Sequence, residues 1–194
     1  MTMSPRTMRT KRRSGFTLII VILVLAFLLA VGVTVVAVTG SGTSISNNIR
    51  GQDQSLNAAE AGFDSAWQRM STAFDYQNWT SFDTHYLQDP AGIDLPLSDN
   101  YFRKLTDPEL LALLDQDGND VADSENVIFY KQTFVQPESG IPSGYLTYTV
   151  FLIDKFAGSG TQQPGSGLLV VIGTAGIGKM MSTTRLEVEL TSGN

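Results

Sequence analysis

Cysteine is absent from the 194 residues of the chain, and histidine occurs once, at His85. Without cysteine there is no disulfide scaffold, thiolate metal site, catalytic thiol or iron–sulfur cluster. A single histidine likewise excludes a zinc site built from several histidines. The sequence also contains no Gly-x-Ser-x-Gly elbow and no paired acid–base constellation. We therefore expect a protein that is not an enzyme.

Acidic residues are absent before Asp53, whereas basic residues cluster at the start of the chain. The chain has 13 Lys and Arg against 19 Asp and Glu, a formal net charge of −6. Five of these cations precede Gly15, so the rest of the chain is strongly acidic. Nucleic-acid binding requires cations that neutralise phosphates. We therefore expect no nucleic-acid partner. The early cations are Arg6, Arg9, Lys11, Arg12 and Arg13.

A long uncharged segment, Phe16–Thr39, follows the basic block. As a helix of 24 residues it would be about 36 Å long, enough to cross a hydrocarbon core of roughly 30 Å. The apolar core of a cleaved secretory signal has only about 7–15 residues. The sequence therefore predicts a single-pass anchor over 16–39. The positive-inside rule places its basic amino terminus in the cytoplasm and the acidic remainder across the membrane.

The junction of the basic block and the apolar segment reads Lys-Arg-Arg-Ser-Gly-Phe-Thr-Leu-Ile over positions 11–19. A short basic leader, a glycine and Phe-Thr-Leu-Ile opening an apolar helix resemble the processing site of type IV prepilins and type II secretion pseudopilins. The resemblance implies a leader over 1–15, cut between Gly15 and Phe16 by a prepilin peptidase that then methylates Phe16. Glycine suits such a cut, because a backbone without a side chain can enter a tight intramembrane site.

A second stretch, Asn-Ala-Ala-Glu-Ala-Gly over positions 57–62, resembles the PilX-type minor pilins. It lies on the continuation of the same helix, which we expect to be amphipathic over 40–70 and to end near Met70. Apolar residues recur there at helical spacing and predict a stripe that packs on the globular head, 71–194. The residues of this predicted stripe are Leu56, Ala59, Phe63 and Trp67.

One position departs from the pilin pattern. Most pilins carry glutamate at the fifth position after the cut, and this sequence has Ile20 there. A charged side chain in hydrocarbon is costly unless it is paired, so the family keeps the glutamate where a neighbouring subunit offers its terminal amine. The tip-type minor pseudopilin lacks it because no subunit lies above it. The departure therefore favours a tip or initiating subunit.

The resemblance implies a subunit that is stored in the inner (cytoplasmic) membrane and then joins a pilus or pseudopilus fibre through its N-terminal helix. Its implied partners are other pilin or pseudopilin subunits, the prepilin peptidase, the inner-membrane assembly platform and the lipid bilayer. The alternative is an unprocessed, single-span membrane-anchored binding protein with its head outside the cytoplasm.

The head pattern predicts an α+β, pilin-like fold, with the long helix packed on a four-stranded antiparallel sheet. A capping box at Thr106 with a proline in the first turn predicts a short helix over 108–114. Polar, aromatic-containing irregular structure is expected over 71–100, lying on the sheet. In the last strand Leu186 and its alternate neighbours are expected inside and Arg185 outside. The four predicted strands are Asn126–Gln136, Tyr145–Lys155, Gly167–Thr174 and Ser182–Thr191.

An acidic stretch after the short helix, Asp-Gln-Asp-Gly-Asn-Asp-Val-Ala-Asp, places oxygen atoms at alternate positions. Calcium prefers such a set, and the stretch matches an EF-hand-type loop at positions one, three, five and nine. It departs at position six, where Asp120 replaces glycine, and at position twelve, where Asn126 replaces glutamate. The sequence therefore predicts a calcium site of modest affinity. The alternative is a turn that ends the helix. The predicted ligands are Asp115, Asp117, Asn119, Asp123 and the carbonyl of Val121.

A glycine-rich stretch, 173–180, resembles a phosphate-binding loop only superficially. The residue after Lys179 is Met180, where the motif requires Ser or Thr to hold magnesium. A strand pattern follows instead of the helix whose amino terminus would face phosphate. We therefore predict a hairpin and no nucleotide site.

Overall fold

The computed structural model describes residues 14–73, 85–134, 145–155, 157, 166–178 and 181–191. Over these residues the chain forms two helices and four strands. Helix α1 spans Ser14–Ala73 and helix α2 spans Asp107–Leu113. The strands are β1 (Val127–Thr133), β2 (Leu146–Ile153), β3 (Ser166–Ala175) and β4 (Ser182–Thr191). The arrangement is α+β, as the sequence predicts; the strands begin within one residue and end within three residues of the predicted bounds.

The chain divides into two compact units, Met1–Asn47 and Asn48–Asn194. The first contains the apolar part of α1. The second contains the rest of α1, α2 and the whole sheet. The division falls within α1. The predicted division into leader, span, amphipathic continuation and head stays a prediction.

The four strands form one antiparallel sheet in the order β1-β2-β3-β4, which confirms the predicted meander. Strands β2 and β3 pair without interruption from Leu146 opposite Ala175 to Ile153 opposite Leu168. Strands β3 and β4 pair equally regularly over ten residues each. Strand β1 is different, because its register against β2 shifts twice, between Val127 and Phe129 and between Phe129 and Gln132. One edge of the sheet is therefore regular and the other is bulged.

Both faces of the central strands are buried. On one face the outer half of α1 contributes Ala59, Ala66 and Met70 to a core with Val150 and Val171, among others. On the other face, α2 and the segment 85–106 contribute residues such as Leu87, Phe102 and Leu110 to a second core. The described part of the predicted irregular segment does lie on the sheet; its residues 74–84 are outside the described residues.

The stripe of α1 that faces the sheet is made of small residues, which corrects the prediction. Of the four predicted stripe residues, Ala59 is buried and Phe63 is half-buried, but Leu56 and Trp67 remain 38% and 37% exposed. The helix backbone comes so close to β3 that a Cβ atom on Gly173 would collide with the carbonyl of Ser55. Large side chains do not fit in that gap. The buried stripe is Ser55, Ala58, Ala59, Gly62, Ala66 and Met70.

Helix α2 begins at the predicted capping box. The backbone N–H and the hydroxyl of Thr106 both donate to Glu109 Oε2, at 2.9 and 2.7 Å, and Pro108 stands in the first turn. These hydrogen bonds from Thr106 lower the pKa of Glu109. The helix exposes its polar side and buries Leu110 and Leu111 in the second core.

Arg185 on β4 is mostly covered, whereas its alternation with Leu186 predicted an exposed side chain. Its guanidinium donates to Asp107 Oδ1 (2.7 Å) and to the carbonyls of Phe102 (2.8 Å) and Leu105 (3.0 Å). The segment that precedes α2 therefore lies over this part of β4. Leu190 is buried and Leu186 and Val188 are half-buried on the α1 side, as predicted.

Candidate functional site

The apolar segment of α1, Phe16–Thr39, is helical and none of it is buried in the structure. Leu29 and Val36, for example, are 72% and 73% exposed. The hydroxyls of Thr34 and Thr39 donate to the carbonyls four residues earlier, each at 2.8 Å, so these polar atoms are satisfied within the helix. Among the described residues it is the one helix long and apolar enough to span a bilayer. Its apolar surface requires an apolar environment.

The predicted processing site lies at the start of this segment. Helix α1 begins at Ser14, so the bond between Gly15 and Phe16 falls in its first turn. The Phe16 side chain is 68% exposed. The leader residues 1–13, with the whole basic block, lie outside the described residues. Cleavage after Gly15 and methylation of Phe16 stay predictions.

The outer half of α1 carries apolar side chains on the side that does not face the sheet. Ile49 is 54% exposed, and the partly exposed Leu56 and Trp67 lie on the same side. Phe63 stacks on Trp67 with ring centroids 6.3 Å apart. An amphipathic helix whose only apolar partner is the sheet would carry polar groups at these positions. Helix α1 is therefore apolar on two sides, and the second side remains accessible to another apolar surface.

Residues 115–123, which we name the acidic loop, follow α2 and contain every predicted calcium ligand. Asp117 accepts hydrogen bonds from the backbone N–H and the side-chain amide of Asn119, at 3.2 and 2.7 Å. Asn119 Oδ1 accepts the N–H of Val121 at 2.8 Å, and Asp123 Oδ2 accepts the N–H of Gln116 at 2.9 Å. These oxygens of Asp117, Asn119 and Asp123 are thus hydrogen-bonded within the loop, a pattern typical of Asx turns.

Asp115 is the one predicted ligand that is buried, with 2% of its side chain exposed. Its Oδ1 accepts the N–H of Asn119 at 3.0 Å, and its Oδ2 accepts the N–H of Asp120 at 3.1 Å. The hydroxyl of Tyr130 donates to the same Oδ2 at 3.0 Å. Burial alone would raise the pKa of Asp115, but the hydrogen bonds from Tyr130 and Asn119 and the charge of Lys131 lower it overall. The side chain therefore carries a negative charge at neutral pH.

A basic residue that the sequence analysis did not single out, Lys131 on β1, lies against the acidic loop. Its Nζ atom is 2.6 Å from Asp120 Oδ1 and 3.5 Å from Asp115 Oδ2. Burial would lower the pKa of Lys131, but hydrogen bonds with Asp120 and Tyr130 raise it overall. Burial also raises the pKa of Tyr130 to about 12. At neutral pH the cluster therefore holds two carboxylates, one ammonium and one neutral phenol.

The bulge in β1 explains why the sequence did not reveal Lys131. In a regular strand Tyr130 and Lys131 would point to opposite faces, but both reach Asp115 here. Lys131 has a φ of 41°, in the left-handed region, and the register of β1 shifts at this position. The alternation of apolar and polar residues carries no signal for such a bulge.

Within the described ranges no three His, Cys, Asp or Glu side chains are grouped so that they could hold a metal ion. Of the predicted ligands, Asp115 and Asp117 both accept the N–H of Asn119, whereas Asn119 and Asp123 accept other N–H groups of the loop. Calcium binding by the acidic loop stays a prediction.

The glycine-rich stretch after β3 forms a hairpin, as predicted, over the residues that the structure describes there. Strand β3 ends at Ala175 and β4 begins at Ser182. Gly176 and Gly178 adopt positive φ values of 104° and 61°, which a glycine turn permits. Lys179 and Met180 lie outside the described residues.

No protein-family model matches this chain, and neither a curated protein nor a solved structure matches it.

Proposed function

We propose that this chain is a minor subunit of a type IV pilus or type II secretion pseudopilus, with a pilin-like fold. In this proposal it is stored in the cytoplasmic membrane with its amino terminus inside and its head outside. A prepilin peptidase removes residues 1–15 and methylates Phe16. An inner-membrane assembly platform then adds the subunit to a fibre through α1.

One observation carries the proposal: a single helix, α1, contains the 24-residue apolar segment Phe16–Thr39 near its start and contributes its later residues to the core of a four-stranded meander. The processing-site pattern at Gly15 and Phe16 precedes the uncharged segment in the sequence. A plain anchor needs a span, but it does not need the span and a head element to be the same helix. In a subunit that moves from lipid into a fibre, one continuous helix lets the span and the head move together.

The physical basis of assembly is an exchange of apolar environments. In the membrane, lipid covers Phe16–Thr39; in a fibre, the helices of neighbouring subunits replace the lipid. Removing apolar surface from water is favourable by about 25 cal/mol per Å². The segment is therefore stable when lipid or neighbouring helices cover it, and exposing it to water is unfavourable. The accessible apolar side of the outer half, with Ile49 and Leu56, supports a second zone of helix contact.

The position in the fibre is part of the proposal. Ile20 stands where most pilins have glutamate, and it is 47% exposed on an apolar helix. A subunit without that carboxylate cannot pair with the terminal amine of a neighbour. A place at the tip, or a role in initiation, does not require the pair.

Mass spectrometry of the protein purified from its native membrane tests the proposal. We expect a chain that starts at Phe16 and carries a methyl group on its terminal amine. A Gly15→Leu variant should keep the leader, because the added side chain blocks the cut. Gly32→Leu, the same substitution inside the span, should be processed normally, since nothing lies within 4 Å of a Cβ atom at Gly32.

The rival function is a single-span anchored binding protein that is never processed. An intact leader on the native protein, with no copies cross-linked through α1, would establish that rival and reject the pilin proposal. The two functions predict different amino termini, so one spectrum separates them.

A further inference from the structure

We propose that Lys131 is the built-in cation of the acidic loop, and that its ammonium group closes the loop without a metal ion. The proposal goes beyond the fibre subunit function and does not depend on it. It concerns the same residues for which the sequence predicts calcium binding. The Lys131 hypothesis and the calcium hypothesis therefore make opposite predictions about whether calcium stabilises the protein.

The contacts of Lys131 support this role. Its Nζ atom lies between a buried carboxylate and an exposed one, 3.5 Å from Asp115 Oδ2 and 2.6 Å from Asp120 Oδ1. Only 2% of the Asp115 side chain is exposed, whereas 78% of the Asp120 side chain is exposed. A buried carboxylate needs a partner charge or several hydrogen bonds. Lys131 supplies the charge from a different element of the fold.

The backbone conformation of β1 directs the Lys131 side chain toward the acidic loop. Lys131 has a φ of 41°, which side-chain-bearing residues rarely adopt. Its N–H donates to Thr149 Oγ1 at 3.0 Å, on the neighbouring strand β2. Its Nζ atom lies 5.0 Å from the centre of the Tyr130 ring, where a cation is attracted by the ring face. The Thr149 hydrogen bond thus holds the backbone of Lys131, and the Tyr130 ring attracts its ammonium group on the side of the acidic loop.

A resident ammonium group weakens the case for a divalent cation at the same carboxylates. Two cations that share Asp115 would repel each other at short range in a partly buried site. The remaining oxygen of Asp115 already accepts the Asn119 N–H, and the loop oxygens accept backbone N–H groups. Asp115 therefore has a charge partner and hydrogen bonds to both of its oxygens as soon as the chain folds.

The test compares thermal unfolding of the full-length protein in detergent micelles, in EDTA and in millimolar calcium chloride. We expect the wild-type Tm to be the same in both. A Lys131→Met variant keeps the alkyl stem and loses the charge, and its Tm in EDTA should fall by about 4–8 °C. Lys155→Met is the matched control, because Lys155 pairs with the exposed Glu189. Its Tm should fall by less than about 2 °C.

Two results would overturn the proposal. One is a wild-type Tm that rises on adding calcium. The other is a Lys131→Met variant that unfolds at the same temperature as Lys155→Met.

Hydrogen exchange of the wild-type protein provides the test if Lys131→Met does not fold. The N–H groups of Asn119 and Asp120 donate to Asp115. They should exchange slowly in EDTA. Exchange that is fast in EDTA and slow only with calcium would assign the cation role to the metal and reject Lys131.

Discussion

At the scale of single residues, the most consequential side chain of the head is Arg185. It binds one carboxylate and two backbone carbonyls of the segment 102–107, and 16% of its side chain is exposed. Asp107 is covered to a similar degree, with 15% exposed. These contacts connect strand β4 to the beginning of α2. A single arginine therefore holds the segment 102–107 against β4.

Replacing Arg185 by methionine should destabilise the head by about 2–4 kcal/mol, because Asp107 and two carbonyls lose their donor in a mostly covered place. The free energy of unfolding from urea titration in micelles measures the loss. Arg103→Met is the matched control, since Arg103 pairs with Glu187 and half of its side chain is exposed. It should cost less than about 1 kcal/mol. Equal losses of unfolding free energy in the two variants would show that Arg185 contributes no more to stability than the exposed Arg103.

The capping box of α2 gives the head a defined response to acid. The pKa of Glu109 is lowered in the folded protein by hydrogen bonds from Thr106. The folded state therefore favours the charged form of Glu109. Its contribution to the free energy of unfolding is complete above the ordinary glutamate pKa of 4.5, and it is lost as the pH falls below that value. Glu109→Gln should flatten the decline of Tm between about pH 5 and 3. Equal slopes in Glu109→Gln and the wild-type protein would contradict the assignment.

At the scale of elements, the sequence predicts most of the fold and misses the contacts that depend on exact approach. The long helix, the capping box of α2 and the four strands follow from periodicity and end signals, and all are present. The stripe of α1 was placed on large apolar residues, because hydrophobic patterns favour them. Leu56 and Trp67 lie outside the core because the helix backbone nearly touches Gly173. Periodicity does not encode that distance.

The candidate site was predictable in part. The composition of residues 115–123 marks the acidic loop, and the structure places all of it after α2. What surrounds Asp115 was not predictable, because it depends on a bulge in β1 sixteen residues later. A bulge rotates one residue to the opposite face, and no local pattern reports it. The processing site at Gly15 rests on sequence resemblance alone.

The close approach of α1 to β3 gives a prediction at this scale. A Gly173→Ala substitution places a Cβ atom against the backbone of Ser55 and Ala59, which cannot move aside as a flexible side chain would. We expect a loss of more than about 2 kcal/mol, measured as the shift of the unfolding midpoint. Gly32→Ala, where the added atom meets nothing within 4 Å, should leave the midpoint unchanged. An unchanged midpoint for Gly173→Ala would show that helix and sheet do not pack this closely.

At the scale of the whole molecule, the chain combines an apolar unit that ends at Asn47 with a unit that has its own core. The first has no buried residues in its apolar segment. The second buries apolar residues on both sides of its sheet. The second unit is therefore stabilised by its own internal packing, whereas the apolar segment of the first is not.

A charge in the middle of the apolar segment tests this division. Leu28→Arg should reduce insertion into the membrane by about 2.5–3.5 kcal/mol, because arginine is costly at the centre of a span. Thr39→Arg is the control, since an arginine near the end of a span can extend its charged group to the interface. The membrane-bound fraction after flotation measures the difference. A Leu28→Arg protein that floats like Thr39→Arg would argue against a spanning helix.

The burial of β2 and β3 on both sides restricts which residues of the head are exposed at its surface. Every residue of β3 is buried, so β3 offers no side chain to a binding partner of the folded head. Antibodies raised against the native protein should map to loops, to the outer side of α1 and to the strand edges. Epitopes within β2 and β3 should become reactive only after denaturation, which would make such antibodies probes of misfolded chains.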